Sequence, residues 1–205
     1  MDLYFAPMAC SLASRMVAYE TGAAMGFHRV QLATKTVEGG ADYLAISPKG
    51  QVPALRLEGG RILTETPATL QFIADQAPDS GLAPPAGSAA RYELQMWLNY
   101  VGTELHKQIL WTTFSPDTPP EAKTFVRGLI PARLAYLEAH LTGREYLVGD
   151  SFTAADAYLL WVMLLFQRLG VDFSGSPNVG AFVGRCMSRE AVGRAVADEA
   201  ALLAG

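Results

Sequence analysis

Cys10 is the residue of this 205-residue chain whose type and position are best suited to chemistry. It follows a short strand-like run and a loop containing Pro7, and Ser11 begins a helix-like pattern directly after it. A thiol at a helix N-terminus meets the positive end of the helix dipole and unpaired N–H groups, which favour the thiolate. The run Cys10–Ala13 contains no second cysteine, so a dithiol mechanism within it is excluded. The chemistry predicted here is that of a single thiol acting with an external one.

The same cysteine also fits a structural interpretation, because free cysteines are commonly small buried hydrophobes. Position alone leaves both interpretations of Cys10 open. Cys186 lies within a helix-like run and is expected in the core. Two cysteines do not suggest a disulfide framework, and free thiols fit a reducing cytosol.

Two further places could bind an extended peptide. A cis bond before Pro53, where thioredoxin-like folds keep one, would leave the backbone of Val52 free to pair with a tripeptide thiol. Glu65 and Thr66 stand where a hairpin ends and a helix begins. Thr66 can offer its hydroxyl and N–H to a carboxylate, while Glu65 can accept from an ammonium group. The alternatives are an ordinary trans turn and a plain helix cap.

Polar residues also cluster on a helix-like run in the second half of the chain. Asn99 and His106 are seven residues apart and share one helix face, with Glu104 and Lys107 close by. His106 could donate to a sulfur or assist proton transfer, although a histidine on a helix is also commonly structural. No Cys/His cluster has metal-ligand spacing, so no metal site is predicted. Motifs for nucleotide binding and serine hydrolysis are absent from the sequence.

Alternating strand-like and helix-like runs must position the first group of candidates. Their order over residues 1–76 is β-α-β-α-β-β-α, which predicts a mixed sheet covered by helices. A Gly-Gly pair between two β-type runs predicts a hairpin. The predicted strands are 3–5, 28–32, 52–57 and 61–64, and the predicted helices are 11–20, 41–46 and 66–76.

The strand pattern stops after residue 76. Residues 77–88 are rich in Pro, Gly and small side chains and are interpreted as a linker, and residues 89–205 as an all-helical domain. Thr153 and Asp156 have the spacing of a capping box. The predicted helices are 89–110, 120–141, 153–169, 179–188 and 191–203.

The charge balance argues against nucleic acid and anionic membranes as partners. The net charge is −4, 18% of residues are charged, and no basic block occurs. The N-terminus lacks the features of a signal peptide. The most apolar run, Ala157–Phe166, is about half the length of a membrane span. A cytoplasmic protein is expected.

Five segments, in order and in register, resemble the bacterial beta class of cytosolic glutathione transferases. The resemblance spans essentially the whole chain, and five matches are more specific than any one of them. The segments are Ala9–Ser14, Ser47–Leu55, Leu63–Glu65, Trp97–Lys107 and the capping motif Phe152–Tyr158.

The resemblance implies a thioredoxin-like α/β N-terminal domain, an all-α C-terminal domain, a homodimer, and glutathione as co-substrate with no further cofactor. It also assigns roles around the ligand. Cys10 would lie at the glutathione sulfur, and Val52 beside Pro53 would pair with the peptide. Glu65 and Thr66 would hold the γ-glutamyl end, and Lys35 would lie near the glycine carboxylate. Asn99 and Glu104 would reach across from the partner subunit, while His106 and Lys107 would border the Cys10 region.

The implied reaction is addition of glutathione thiolate to a small hydrophobic electrophile. Two alternatives remain: thiol–disulfide or reductive transfer through a mixed disulfide at Cys10, and a binding protein of the same fold without catalysis. Two positions depart from the family pattern. Met8 stands where glycine is usual, which could narrow or shift the loop before Cys10, and Thr66 replaces the usual Ser or Gly.

Overall fold

The protein is described by a computed structural model that covers residues 1–204. The chain divides into two units. The first consists of Met1–Ala83 together with the C-terminal segment from Arg189, and the second is Pro84–Ser188. The last helix of the chain therefore belongs with the N-terminal sheet. The sequence pattern instead assigns this helix to an all-helical domain of residues 89–205, and that domain boundary stays a prediction.

A five-stranded mixed sheet forms the centre of the first unit. The strands are β1 (Asp2–Phe5), β2 (Gly26–Gln31), β3 (Thr36–Val37), β4 (Ala54–Arg56) and β5 (Ile62–Thr64), in the order β3-β2-β1-β4-β5. β1 runs parallel to β2, and the other pairs are antiparallel. β1 occupies the middle of the sheet, and its apolar residues 3–5 are buried. The mixed sheet predicted from the sequence is confirmed.

The predicted hairpin is also confirmed. β4 and β5 pair antiparallel with Leu55 opposite Leu63. The turn between them, Glu58–Gly60, places Gly59 and Gly60 at φ of 81° and 85°. Only glycine adopts such angles without a steric cost, which is why the Gly-Gly pair was informative.

The first unit also contains three helices: α1 (Ser11–Thr21), α2 (Thr66–Asp75) and the C-terminal helix, α9 (Glu190–Ala204). α1 contacts both of the others. Between α1 and α2, the buried hydroxyls of Ser14 and Thr69 lie 3.1 Å apart. Burying both hydroxyls is inexpensive because they bond to each other.

The helix predicted for residues 41–46 is wrong. The segment makes a bridge between Thr36 and Asp42 and then continues as turns. Asp42 Oδ1 accepts from the N–H of Leu44 at 2.9 Å, which is the side-chain-to-backbone bond that competes with helix formation. Tyr43 is fully buried and packs in the apolar cluster that contains Tyr4. Burial of this ring decides the local conformation.

The second unit is helical. α3 (Ala89–Tyr100) continues into a π-helical segment (Val101–Trp111) and a last turn, α4 (Thr112–Phe114), and these are followed by α5 (Pro120–Arg127), α6 (Ile130–His140), α7 (Ala154–Arg168) and α8 (Pro177–Met187). α7 contains the apolar run Ala157–Phe166 and is buried along most of its length. Its capping box is confirmed, because Asp156 accepts from the N–H and the hydroxyl of Thr153. None of the helices in residues 1–204 is long and apolar enough to cross a bilayer.

The single helix predicted over residues 120–141 is wrong, because the chain forms α5 and α6 with a break at Gly128 and Leu129. Pro131 explains the break. A proline lacks the N–H that a continuous helix needs, so a helix running through Pro131 would lose a backbone hydrogen bond. Pro131 is tolerated within the first turn of a new helix, where its missing donor costs nothing.

Candidate active site

Cys10 lies at the N-terminus of α1, where the sequence predicted it. It is the residue directly before the helix, and its side chain is buried with 8% of its surface exposed. Its Sγ donates to the backbone carbonyl oxygen of Val52 at 3.2 Å. A carbonyl acceptor stabilises the protonated thiol, whereas the start of a helix stabilises the thiolate. The thiol is therefore held between two opposing influences, next to the backbone predicted to bind a peptide.

The loop before Cys10 is held by Ser11. The Ser11 hydroxyl accepts from the N–H of Ala6 at 3.2 Å and lies 3.3 Å from the Ala6 carbonyl. The N–H of Ala9 donates to the same carbonyl at 3.0 Å. Met8, inside this turn, has a φ of 60°. This left-handed conformation favours glycine and costs other residues about 1–2 kcal/mol, so Met8 bears a backbone strain that glycine would not.

A buried carboxylate on α9 supports the Met8 conformation. Glu199 Oε2 accepts from the Met8 N–H at 2.7 Å, and its Oε1 lies 3.0 Å from Nε of Arg15. The Arg15 guanidinium lies 4.2 Å from the ring centres of both Phe5 and Phe27. Burial raises the pKa of Glu199 to about 7, more than Arg15 and the Met8 N–H lower it. Sequence reasoning missed this group, because nothing in the local pattern pairs residues so far apart.

The peptide bond between Val52 and Pro53 is cis, which is one of the two geometries that the sequence left open. Both residues are buried, and β4 begins directly after them. The hydroxyl of Tyr43 donates to the carbonyl of Gln51 at 2.8 Å, one residue earlier. Burial raises the pKa of Tyr43 to about 12, so its hydroxyl stays protonated and donates at any physiological pH.

Glu65 and Thr66 lie at the start of α2, also as predicted. Thr66 is buried as the first residue of the helix, whereas the Glu65 side chain is 59% exposed. Glu65 has a φ of 72°, a left-handed conformation that is uncommon outside glycine. Lys49 Nζ donates to Glu65 Oε1 at 2.5 Å and to the Thr64 hydroxyl at 3.0 Å. Lys49 was not among the predicted site residues.

Lys35 contacts the turn Ser47–Gly50, which carries Lys49. Its Nζ donates to the carbonyl of Gly50 at 2.9 Å. The turn is closed by a 2.8 Å bond from the Gly50 N–H to the Ser47 carbonyl. Contacts thus link the first unit's candidates into one group: Lys35 to the turn, Lys49 from the turn to Glu65, and Cys10 to Val52 just after it.

The remaining candidates lie in the second unit and do not form one cluster. His106 is buried on the π-helical segment, with Nδ1 2.6 Å from the hydroxyl of Tyr158. Lys107 is exposed, and its Nζ lies 4.6 Å from the centre of the Trp111 ring. Asn99 is exposed on α3.

Glu104 pairs with Arg133 of α6 in the same chain. The hydroxyl of Tyr158 bonds to Nδ1 of His106, so His106 takes part in a structural hydrogen bond. π-Helical segments are nevertheless frequent at functional sites.

The second cysteine lies where the sequence predicted it. Cys186 is fully buried in α8, and the two cysteines do not form a disulfide with each other. His28 contacts Asp2, and His140 contacts the carbonyl of Leu147, which are structural bonds. Within residues 1–204 no group of three or more potential ligands is arranged to hold a metal ion.

A thioredoxin-like sheet with a cysteine at the start of its first helix and a cis-proline before β4, followed by a helical unit, has the architecture of a glutathione transferase. Comparison with known proteins agrees. Residues 7–76 match the family model of the glutathione S-transferase N-terminal domain, and residues 103–190 match that of the C-terminal domain. The chain is 41% identical over 199 residues to glutathione S-transferase GstA of Escherichia coli O157:H7, covering 97% of this chain and 98% of that protein.

Solved structures give the same result. A sphingomonad glutathione S-transferase complexed with glutathione superposes with a TM-score of 0.93 at 42% identity, covering 98% of this chain and 99% of the other. The bacterial beta-class enzyme of Sphingomonas chungbukensis also gives 0.93 at 42% identity, covering 97% and 98%. The chain therefore belongs to the glutathione S-transferase family.

Proposed function

We propose that this protein conjugates reduced glutathione to small hydrophobic electrophiles. The observation that carries the proposal is the group of contacts in the first unit. In this group the Cys10 thiol donates to the Val52 carbonyl, Lys35 donates to the Gly50 carbonyl, and Lys49 pairs with the Glu65 carboxylate just before α2. Glutathione is a peptide with a central thiol, a carboxylate at each end and one ammonium group. Each of these groups has a partner of matching chemistry in the group.

The binding roles follow from these chemistries. Glu65 would accept from the γ-glutamyl ammonium, and the N-terminus of α2 at Thr66 would receive the neighbouring carboxylate. Lys35 would pair with the glycine carboxylate, and the backbone of Val52 beside Pro53 would bond to the cysteinyl residue as an added strand. The start of α1 supplies positive potential near the sulfur.

The reaction needs only glutathione and the electrophile. The glutathione thiol releases its proton to solvent water, the sulfur lone pair forms a bond to an electrophilic carbon, and the leaving group departs with its electron pair. Cys10 can turn its S–H from the Val52 carbonyl to the glutathione sulfur and stabilise the thiolate by donating to it. Holding both reactants in one site converts a bimolecular encounter into a faster bound reaction.

We further propose that the second-unit candidates complete the site, with His106 and Lys107 near the sulfur and Asn99 and Glu104 supplied by a second subunit. Exposed apolar side chains support self-association. Tyr92 and Met96 are 64% and 52% exposed and, four residues apart, share one face of α3. Sedimentation analysis tests the homodimer. A cytoplasmic location agrees with two cysteines that do not form a disulfide with each other.

The direct test is a conjugation assay with 1-chloro-2,4-dinitrobenzene. Glutathione and cysteinylglycine are compared as thiols, because the second lacks the γ-glutamyl group that Glu65 and Thr66 are proposed to bind. The proposal predicts saturable catalysis with glutathione and little enhancement with the dipeptide. Equal enhancement with both thiols, or none with either, would refute it.

A further inference from the structure

Lys49 presents an ammonium group to the carboxylate that the proposed function reserves for the ligand. Its Nζ lies 2.5 Å from Glu65 Oε1, and it also donates to the Thr64 hydroxyl at 3.0 Å. An ε-ammonium and the α-ammonium of a γ-glutamyl group are the same kind of donor, a cation with three N–H bonds. The protein thus supplies to Glu65 the same interaction that glutathione would bring.

The backbone of the turn that carries Lys49 is fixed by several local constraints, and these constraints hold Lys49 beside Glu65. Pro48 fixes one backbone angle of the turn, and Gly50 takes a left-handed φ of 59°. The bond between Gly50 and Ser47 closes the turn, and Lys35 holds it from the other side. Both partners of the ion pair remain more than half exposed, which leaves the Lys49 side chain free to swing into solvent.

From these contacts we propose that Lys49 is a built-in counter-ion of Glu65 that competes with the ammonium group of glutathione, an inference that rests on the proposed function. Two cations cannot share one carboxylate oxygen at hydrogen-bond distance without repelling each other. The ammonium group of glutathione would therefore compete with Lys49 for the Glu65 carboxylate, on which Lys49 occupies Oε1. In its absence the pair shields the carboxylate charge, and in its presence Lys49 turns to water.

This competition makes Lys49 a determinant of specificity. A ligand without the α-amino group has no need to displace Lys49, and Lys49 shields it from the negative charge of Glu65. Lys49 therefore weakens the binding of glutathione but does not weaken the binding of the analogue that lacks the α-amino group. Removing the lysine should sharpen the preference for glutathione.

The test measures the dissociation constants of glutathione and of glutaryl-cysteinylglycine, which is glutathione without its α-amino group, by calorimetry. Lys49→Met is compared with wild type and with Arg61→Met. Arg61 is exposed just before β5, and its backbone carbonyl accepts from the N–H of Leu57 at 2.8 Å. Arg61→Met thus controls for the loss of one positive charge.

We expect Lys49→Met to bind glutathione roughly two- to fivefold more tightly, the range set by an exposed ion pair, and the analogue no more tightly than wild type does. The ratio of the two constants should rise, while Arg61→Met leaves the ratio unchanged. Weaker glutathione binding by Lys49→Met would show that Lys49 is a direct ligand contact and would overturn the inference, as would an unchanged ratio. Absence of glutathione binding to wild type would instead overturn the proposed function and this inference with it.

Discussion

The backbone N–H of Met8 donates to the carboxylate of Glu199 at 2.7 Å, so the last helix of the chain holds the loop that precedes Cys10. The contact joins residues 191 positions apart, within the first unit. Met8 takes a left-handed conformation there, and Glu199 is fully buried. The position of the candidate catalytic thiol therefore depends on a residue of α9.

The strain at Met8 predicts that glycine stabilises this loop. Met8→Gly should raise the free energy of unfolding by about 0.5–1 kcal/mol, because glycine adopts a φ of 60° without the steric cost that Met8 bears. Denaturant titration measures the change. Ala9→Gly is the control, since Ala9 has no positive φ and glycine there should lower stability. If the Met8→Gly protein is less stable than wild type, the backbone of Met8 is not strained.

Burial of Glu199 predicts a pH dependence of stability. Its pKa is raised from 4.5 to about 7, so the unfolded chain releases this proton at lower pH than the folded protein does. The folded protein binds the extra proton between these values, so the contribution of Glu199 to stability is full below pH 4.5. That contribution is lost as pH rises to about 7, a difference of roughly 3 kcal/mol.

The measurement is the free energy of unfolding of wild type and Glu199→Gln over this pH range. Other titrating groups, including the neighbouring Asp198, are common to both proteins and cancel in the difference. Wild type should lose stability relative to the variant as pH rises. A difference that stays constant, or that moves the other way, would show that the pKa of Glu199 is not raised.

The capping box at the start of α7 predicts a large stability effect. Asp156 is fully buried and accepts from the N–H of Leu147 and from the N–H and hydroxyl of Thr153, all within 2.8 Å. Asp156→Ala leaves these donors without that acceptor and should cost about 3 kcal/mol or more. Asp150→Ala, at an exposed position, should have little effect. Similar small losses from both variants would contradict the role of the box.

Replacement of Cys10 distinguishes conjugation from thiol–disulfide exchange. In Cys10→Ala, conjugation should continue at a reduced rate, because the nucleophilic sulfur belongs to glutathione. Disulfide exchange should disappear, because a mixed disulfide needs the protein thiol. Assays with an electrophile and with a glutathione mixed disulfide separate the two. Cys186→Ala, at the buried cysteine of the second unit, should retain both activities. Complete loss of conjugation in Cys10→Ala would mean that Cys10 is indispensable to it.

Local sequence signals predicted those parts of the fold that local chemistry decides. The Gly59-Gly60 turn, the start of α1 at Cys10 and the start of α2 at Thr66 each depend on a few adjacent residues, and all agree with the structure. The segment around Tyr43 was mistaken for a helix, because its conformation is decided by packing of that ring in the sheet core.

The family motifs singled out Cys10 and Val52 as separate candidates, but their contact with each other was not predicted. The contact of Met8 with Glu199 depends on where α9 packs, and no sequence motif marked it. Likewise, the pairing of Lys49 with Glu65 depends on two turns that the sequence places in separate elements.

The proposed glutathione site at Glu65 is tested most directly by calorimetric titration with reduced glutathione. Wild type is compared with Glu65→Ala and Glu58→Ala. Glu58 is an exposed glutamate in the β4–β5 turn and serves as the matched control. The account predicts saturable binding to wild type and Glu58→Ala, and binding at least about tenfold weaker to Glu65→Ala, because a charge-assisted hydrogen bond is lost. No binding to wild type, or equal affinity in all three proteins, would contradict the assignment of the glutathione site.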